Sequence, residues 1–578
     1  MILRSGIVLL VAILVGCDQK PASVLSDSSD LKIGELVGRK PLAQHQQDSF
    51  KLDLKKDAFV YGYADQHDVD VMVKIFGPDH KEIAAFDGPA RGPEKFKFTT
   101  ATEGVYTISI APFEDGHGEY SIALSGAELL SDNPDGRIDQ VVRAALGNQE
   151  KTPGVAISVQ RDGKLIYSKG FGYADIEQNA RITPTTIFHI ASVSKQFTAF
   201  AIATLADQGK ISLDDDIRKY LPEMHDFGTP VTIRQLAHHT SGLRDQWSLL
   251  QMAGWRMDDV ITMNQIMRLV SKQTELNFHP GDEHVYCNTG FTLMGEIVHR
   301  VTKQTFPEWC KENIFDPLGM KNTLFYDDHE RIVENRAYSY YQGPTGPKKR
   351  VLSYANAGAT SLFTTVEDLQ LWARNFEDVK VGNDNVMKTM NSRYVLNNGD
   401  TINYAFGQSI DKYKGLNAYS HSGGDAGFRT YLLRFPDQHT SIAVFSNSSE
   451  FPVGDLTYQL ADLYLEKDLR PETARNENQN NNNNNPGQEQ FDPAAVKLDE
   501  FAGKYYSPEL ETYYTFAVEN DTLVSHHQRH DDMKLRPIKP DRFNINILGN
   551  LDFYRENGKV AGFRASNGRV RNLRFVKQ

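Results

Sequence analysis

One stretch of this chain cannot belong to any core, and it cuts the rest into pieces. Residues 471–490 contain NENQNNNNNNPGQEQ. Polar low-complexity sequence of this kind has no apolar area to bury against the entropy of ordering it. It reads as a disordered linker, spanning 468–492 with its flanks. What precedes and follows it must fold from its own hydrophobic pattern. The following segment, 493–578, carries short runs such as YYTFAV, RFNINI and LDFYRE between turn residues, and is expected to be a small β domain.

Before the linker, the pattern changes twice. Residues 18–30 (DQKPASVLSDSSD) are polar and Ser/Asp-rich and read as a flexible tether. In 31–128, Val69, Val71, Val73 and Ile75 alternate with polar neighbours, as do Tyr106, Ile108 and Ile110. Period-two alternation bounded by Gly, Pro and Asp predicts half-buried strands. Residues 129–467 mix helix and strand signals, and are the only segment long enough for a large enzyme core. A chain of 578 residues agrees with three or four domains at ~150 residues each.

The first 17 residues read as an export signal and stand outside fold reasoning. Arg4 supplies the positive region, and Ile7 to Val15 form an apolar run too short for a usual membrane span. The run ends in Leu14-Val15-Gly16-Cys17, which resembles the bacterial lipoprotein cleavage box. That resemblance implies a product beginning at a lipidated Cys17, the alternative being plain secretion with an incidental cysteine. Each buried acyl methylene contributes ~0.8 kcal/mol to membrane anchoring. The expected location is the cell envelope, on a membrane, facing the periplasm or the exterior.

The net charge of -12, from 63 basic and 75 acidic residues, argues against a general nucleic-acid binder. Three cysteines, Cys17, Cys287 and Cys310, make no disulfide framework. The latter two are expected as small buried hydrophobes.

The chemistry-bearing pattern is Ser192-Val193-Ser194-Lys195. Phe197, Phe200, Ala201 and Leu205 follow at helical spacing, and Gly209 supplies a stop. A helix is therefore expected to start near Ser192, placing residues 192 and 195 on one face. A serine hydroxyl needs a base within hydrogen-bond reach. A lysine can serve if burial or nearby positive charge lowers its pKa. Backbone N–H groups at the helix start can meet a developing oxyanion. By itself S-x-x-K is weak, since roughly two occur by chance in a chain of this length. Ser194 is a rival nucleophile and N-cap, but it points to a different face.

Two further motifs follow in order: Pro280-Gly281 through Tyr286-Cys287-Asn288-Thr289-Gly290-Phe291, and His421-Ser422-Gly423-Gly424 ending at Gly427-Phe428. With S-x-x-K they resemble the active-site motifs of the penicillin-recognising serine hydrolases: class C β-lactamases, DD-peptidases, D-aminopeptidases and related esterases. LAHHTSGL (236–243), FDPLGMKNT (315–323) and FTTVEDLQLWA (363–373) look like that family's linking segments. The resemblance covers roughly residues 135–465. Tyr354-Ala355-Asn356 is a second Y-x-N. The nearer one, in its NTGF context, fits the family, leaving Tyr354 as an ordinary packed aromatic.

The resemblance implies an α/β β-lactamase-like core with a central antiparallel sheet flanked by helices. It further implies that Ser192 is acylated, that Lys195 takes its proton alone or with Tyr286, and that Asn288 holds Lys195 and the substrate amide. The backbone N–H groups of Ser192 and Gly424 would form the oxyanion hole. His421, Ser422 and Gly423 would complete the catalytic and substrate-binding strand. The third motif departs from the lysine form, K-T-G. A histidine near neutral pH is mostly uncharged, so efficient penicillin hydrolysis is not expected. EGVYTISI and GEYSIAL resemble the small β-sandwich appended to secreted bacterial hydrolases, and the C-terminal segment ending in GRVRNLRFVKQ resembles a small lipocalin-like barrel.

A cluster of His526, His527, His530, Asp531 and Asp532 invites a metal reading. Adjacent strand histidines point to opposite faces, so a solvated strand end is expected instead. The expectation is a multidomain serine hydrolase without metal or organic cofactor, acting on D-amino-acid peptides or amides or on small esters. β-Lactamase or DD-carboxypeptidase activity is the nearer alternative. A catalytically idle cell-wall-peptide binder is the further one, disfavoured by intact Ser192, Lys195 and Tyr286.

Overall fold

A computed structural model of the chain describes residues 24–578 except 89, 91, 148–150, 344–345, 471–490 and 494–495. The export signal, Cys17, residues 18–23 of the tether and most of the Asn-rich tract therefore lie outside the described residues. The chain forms two compact units, 1–150 and 151–578.

In the first unit the alternation becomes a two-sheet sandwich. Strands Leu36–Leu42, Gly118–Leu129, Ala58–Gln66 and Gly92–Thr99 form one sheet; Asp48–Leu54, Gly104–Pro112, Val71–Phe76 and Glu82–Phe86 form the other. Val71, Val73 and Ile75 are buried while Met72 and Lys74 are only partly covered. This is the pleat's period of two made visible. The unit also takes in the helix Pro134–Leu146, which the sequence reading placed at the start of the enzyme segment. Local bonds explain this: Gln140 donates to the Leu129 carbonyl and Arg143 pairs with Glu128.

The second unit is built on a six-stranded antiparallel sheet in the order Lys164–Phe171, Val155–Arg161, Thr440–Ser446, Phe428–Phe435, Leu416–Asp425, Ser409–Tyr413. Thr440–Ser446 is buried at every residue, so both its faces are covered, and it reads as a near-continuous apolar run rather than an alternating one. Helices Val366–Arg374 and Val453–Tyr464 pack on this strand.

The helix after the S-x-x-K begins at Lys195 and runs to Asp207; Ser192 sits one step earlier, in the 3-10 turn Ala191–Ser194. Its residues 195–203 are all buried, the mark of a helix inside a core rather than on a surface. It packs against Asn288–Thr302, which brings the first two motifs together.

The C-terminal segment is one nine-stranded, nearly closed barrel-like sheet. Its hydrophobic core also contains Leu249 and Met252 from the helix Gln246–Met252. The barrel's interior is thus completed by the enzyme core, and the two form one body despite the polar tract between them in sequence. Arg244, at 0% side-chain exposure, donates to Glu509 and to the Arg571 carbonyl, while Arg564 pairs with Glu275 and Arg571 with Glu283. No helix among the described residues is long and apolar enough to cross a membrane.

Candidate active site

The strand Leu416–Asp425 is paired on one side by Ser409–Tyr413, but only as far as Ser420. Residues 421–425 therefore leave that edge open, and the 3-10 turn carrying Ser192 packs beside it. A Cβ on Gly423 would stand 2.3 Å from the Ile190 carbonyl oxygen and from Thr430 Oγ1. Glycine is required there for the strand and the turn to meet. Gly423 is buried and does not line the cleft. Gly423, expected to meet substrate, is packed here against Ile190 and Thr430. Ser422 and Gly424 do line the cleft. Ala191 adopts φ 48°, a left-handed conformation costly for a residue with a Cβ, one position before Ser192.

Lys195 Nζ lies 3.0 Å from Ser192 Oγ, 2.8 Å from Asn288 Oδ1 and 2.7 Å from the Ala359 carbonyl oxygen. The latter two oxygens can only accept. A neutral amine has two N–H groups and one lone pair. With both hydrogens committed to Asn288 and Ala359, the lone pair faces the Ser192 hydroxyl. Burial pulls the Lys195 pKa down to about 7. Asp245 and Asp425 oppose that pull, and Arg569 adds to it.

Asn288 is itself held. Asp245 Oδ2 accepts from its backbone N–H and from Nδ2, both at 2.7 Å. Asp245 also caps the helix Gln246–Met252 through Trp247 N and Ser248 N. One carboxylate thus fixes both a helix start and the amide that orients Lys195. Tyr286 is half-buried; its ring lies 5.0 Å from Lys195 Nζ, and burial pushes its hydroxyl pKa up. His239, from the LAHHTSGL segment, stacks behind that ring at 4.2 Å between centroids.

His421 has both ring nitrogens engaged. Nδ1 is 2.6 Å from the Ser422 carbonyl oxygen, which can only accept, so Nδ1 carries the proton. Nε2 then accepts from Tyr404 OH at 2.9 Å. Burial, with the Lys195 charge nearby, lowers its pKa to about 3. His421 is thus a neutral wall of the cleft and contributes no cation.

Ser194 is excluded as nucleophile by its bonds: its hydroxyl donates to the Ala191 carbonyl and accepts from Leu362 N–H. Tyr354 is more than a packed aromatic. It lines the cleft, stacks on Trp247 at 4.7 Å and donates to Asp425 Oδ1 at 3.0 Å. Thr360 donates to the other oxygen of Asp425 at 2.8 Å. The sequence reading missed Asp245, Asp425, Trp247 and Arg569. Only Asp245 carries a local signal, as an acidic N-cap before an apolar run. Cys287 and Cys310 are buried free thiols, and no metal-binding group of His, Cys, Asp or Glu occurs among the described residues. His526 turns to Glu519 and Asp532, while the His527 ring stacks on Tyr514.

The cleft encloses about 1050 Å³. At one point it brings together a hydroxyl, an amine with a free lone pair, a phenol and an open strand edge. These are the parts of acyl transfer through a serine ester. The beta-lactamase family model matches residues 138–465, more than half of the chain. The chain belongs to the beta-lactamase family. It is similar to the D-aminopeptidase of Gluconobacter oxydans (26% identity over 318 residues), the match covering 55% of this chain and 60% of that protein's length. It is also similar to penicillin-binding protein 4* of Bacillus subtilis, 29% identical over 345 residues, covering 56% and 73%. The octameric penicillin-binding protein homologue from Pyrococcus abyssi shares the fold, with a TM-score of 0.52 at 23% identity, over 76% of this chain and 99% of that one.

Proposed function

We propose that this beta-lactamase family member is a cell-envelope serine hydrolase that cleaves peptides or amides of D-amino acids, or small esters, through a Ser192 acyl-enzyme. The observation that carries the reading is the Lys195 amine. Its two hydrogens are taken by Asn288 and Ala359, and its lone pair faces Ser192. Ser192 Oγ attacks the substrate carbonyl carbon while its proton passes to Lys195 Nζ. The carbonyl oxygen becomes an oxyanion in reach of the Ser192 and Gly424 N–H groups. As the intermediate collapses, the proton returns, by way of the Tyr286 hydroxyl, to the departing nitrogen or oxygen. Water then attacks the ester along the reverse proton path and frees Ser192.

The substrate class draws support from relatives named for D-amino-acid and penicillin chemistry. Neutral His421 lacks the charge that the lysine form of the third motif offers a β-lactam carboxylate. Attachment through a lipidated Cys17 belongs to the same proposal. The test is covalent labelling by a neutral fluorophosphonate and by a labelled penicillin, on wild type and Ser192→Ala. Rapid fluorophosphonate labelling, absent in the variant, is expected. Wild type resisting both probes would sink the acyl-enzyme.

A further inference from the structure

The two-residue turn Gly568–Arg569 joins barrel strands Lys559–Asn567 and Val570–Lys577, far in sequence from every motif above. The Arg569 carbonyl oxygen accepts from Asp245 N–H at 3.2 Å and from Asn277 Nδ2 at 3.0 Å. Asn277 Oδ1 in turn accepts from Arg571 N–H at 2.7 Å. The turn is therefore clamped at its backbone, and by the same Asp245 that holds Asn288. Its side chain lines the cleft, the guanidinium carbon 5.0 Å from the centre of the Tyr286 ring. That guanidinium makes no ion pair with a described residue.

Of the other cations lining the cleft, Lys349 pairs with Glu177 at 2.8 Å, Arg429 gives Nη1 to the carbonyls of Ala426 and Phe428, and Arg350 lies over the Tyr341 ring at 5.4 Å. Of the acids, Asp425 is held by Tyr354 and Thr360, and Asp258 pairs with Arg256. Each carboxylate lining the cleft, among the described residues, thus already has a hydrogen-bond or ion-pair partner. Beside the reacting groups the cleft has the Arg569 guanidinium, without an ion pair among the described residues and carried on a backbone-clamped turn, and a third motif whose histidine carries no charge.

Resting on the acyl-transfer reading above, we propose that Arg569, delivered by the C-terminal barrel, is the specificity-determining residue that binds a carboxylate of the substrate. A guanidinium presents paired donors to a carboxylate, and the clamped turn fixes where this one starts from. It thereby does from another part of the chain what a lysine in the third motif would otherwise do. The preferred substrate is then anionic near the scissile bond, on its leaving side or its acyl side.

Binding tests this separately from turnover. In a Ser192→Ala background, calorimetry would compare N-acetyl-D-alanyl-D-alanine, its C-terminal carboxamide, and N-acetyl-D-glutamyl-D-alaninamide, which carries its carboxylate on the acyl side. One of the two acids should bind on the order of tenfold tighter than the neutral amide, and which one does so locates the carboxylate. Arg569→Gln should erase that ratio while leaving affinity for the neutral amide within about twofold, and Arg569→Lys should restore part of it. Equal affinities for acids and amide, or a ratio that survives Arg569→Gln, would overturn the proposal. So would no binding of either acid. Fluorophosphonate labelling of wild type reports on the acyl-enzyme alone, so the two readings can fail independently.

Discussion

At the scale of single residues, the account turns on the protonation of Lys195. Only the neutral amine can accept the Ser192 proton. Burial holds its pKa near 7 against the opposing pull of Asp245, Asp425 and Cys287. Below that value the amine is protonated and activity falls; above it activity is retained. The acidic limb of kcat/KM should therefore lie close to pH 7, readable from a pH–rate profile. Arg569→Gln removes a cation that disfavours the ammonium form, so the limb should move to higher pH. Lys195→Met should cut kcat by about 10²–10⁴, the usual weight of a positioned general base. Gly423 yields a steric prediction. Adding one methyl in Gly423→Ala drives the strand against Ile190 and displaces the Ser192 turn. Acylation by the fluorophosphonate should slow at least about tenfold, with circular dichroism unchanged.

At the scale of elements, the short helix Gln246–Met252 links chemistry to architecture. Its N-cap Asp245 orients Asn288, its Leu249 and Met252 complete the barrel's core, and the preceding Arg244 is buried against Glu509. Glu509→Ala leaves the buried Arg244 guanidinium with the Arg571 carbonyl and the longer 3.6 Å contact to Glu275, a change that costs about 3 kcal/mol. Denaturant unfolding should show that loss. Replacing Arg244 and Glu509 together with apolar residues of similar size should recover most of it. This element also marks where sequence reasoning ended. The S-x-x-K, Y-x-N and His421 motifs are local strings, so their order was visible and the family followed from them. Asp245 reaches Asn288 from behind, and Tyr354 and Arg569 enter the cleft, through contacts between distant segments. Nothing within a few residues of Arg569 distinguishes it from other surface turns. The packing of Gly423 was hidden for the same reason, since its neighbour Ile190 lies far away in sequence.

At the scale of the whole molecule, the alternating and mixed patterns of the sequence foretold a β-rich first segment, a mixed core and a final β domain, and a resemblance added the sandwich. They did not foretell that the last two form one body. Removing 493–578 would expose Leu249 and Met252 and take away the Glu509 and Arg571 partners of Arg244. The truncated chain should therefore lose stability and acylation together, rather than merely change its substrate preference. Comparing soluble yield, thermal unfolding and labelling rate of the truncated and full-length chains would distinguish these outcomes. The central claim remains that one serine, activated by one lysine, carries the acyl group. Its most direct test is mass spectrometry of the fluorophosphonate-labelled protein followed by peptide mapping. The account predicts a single adduct on Ser192 that forms slowly or not at all in Lys195→Met. An adduct on Ser194, or labelling that is indifferent to Lys195, would contradict it.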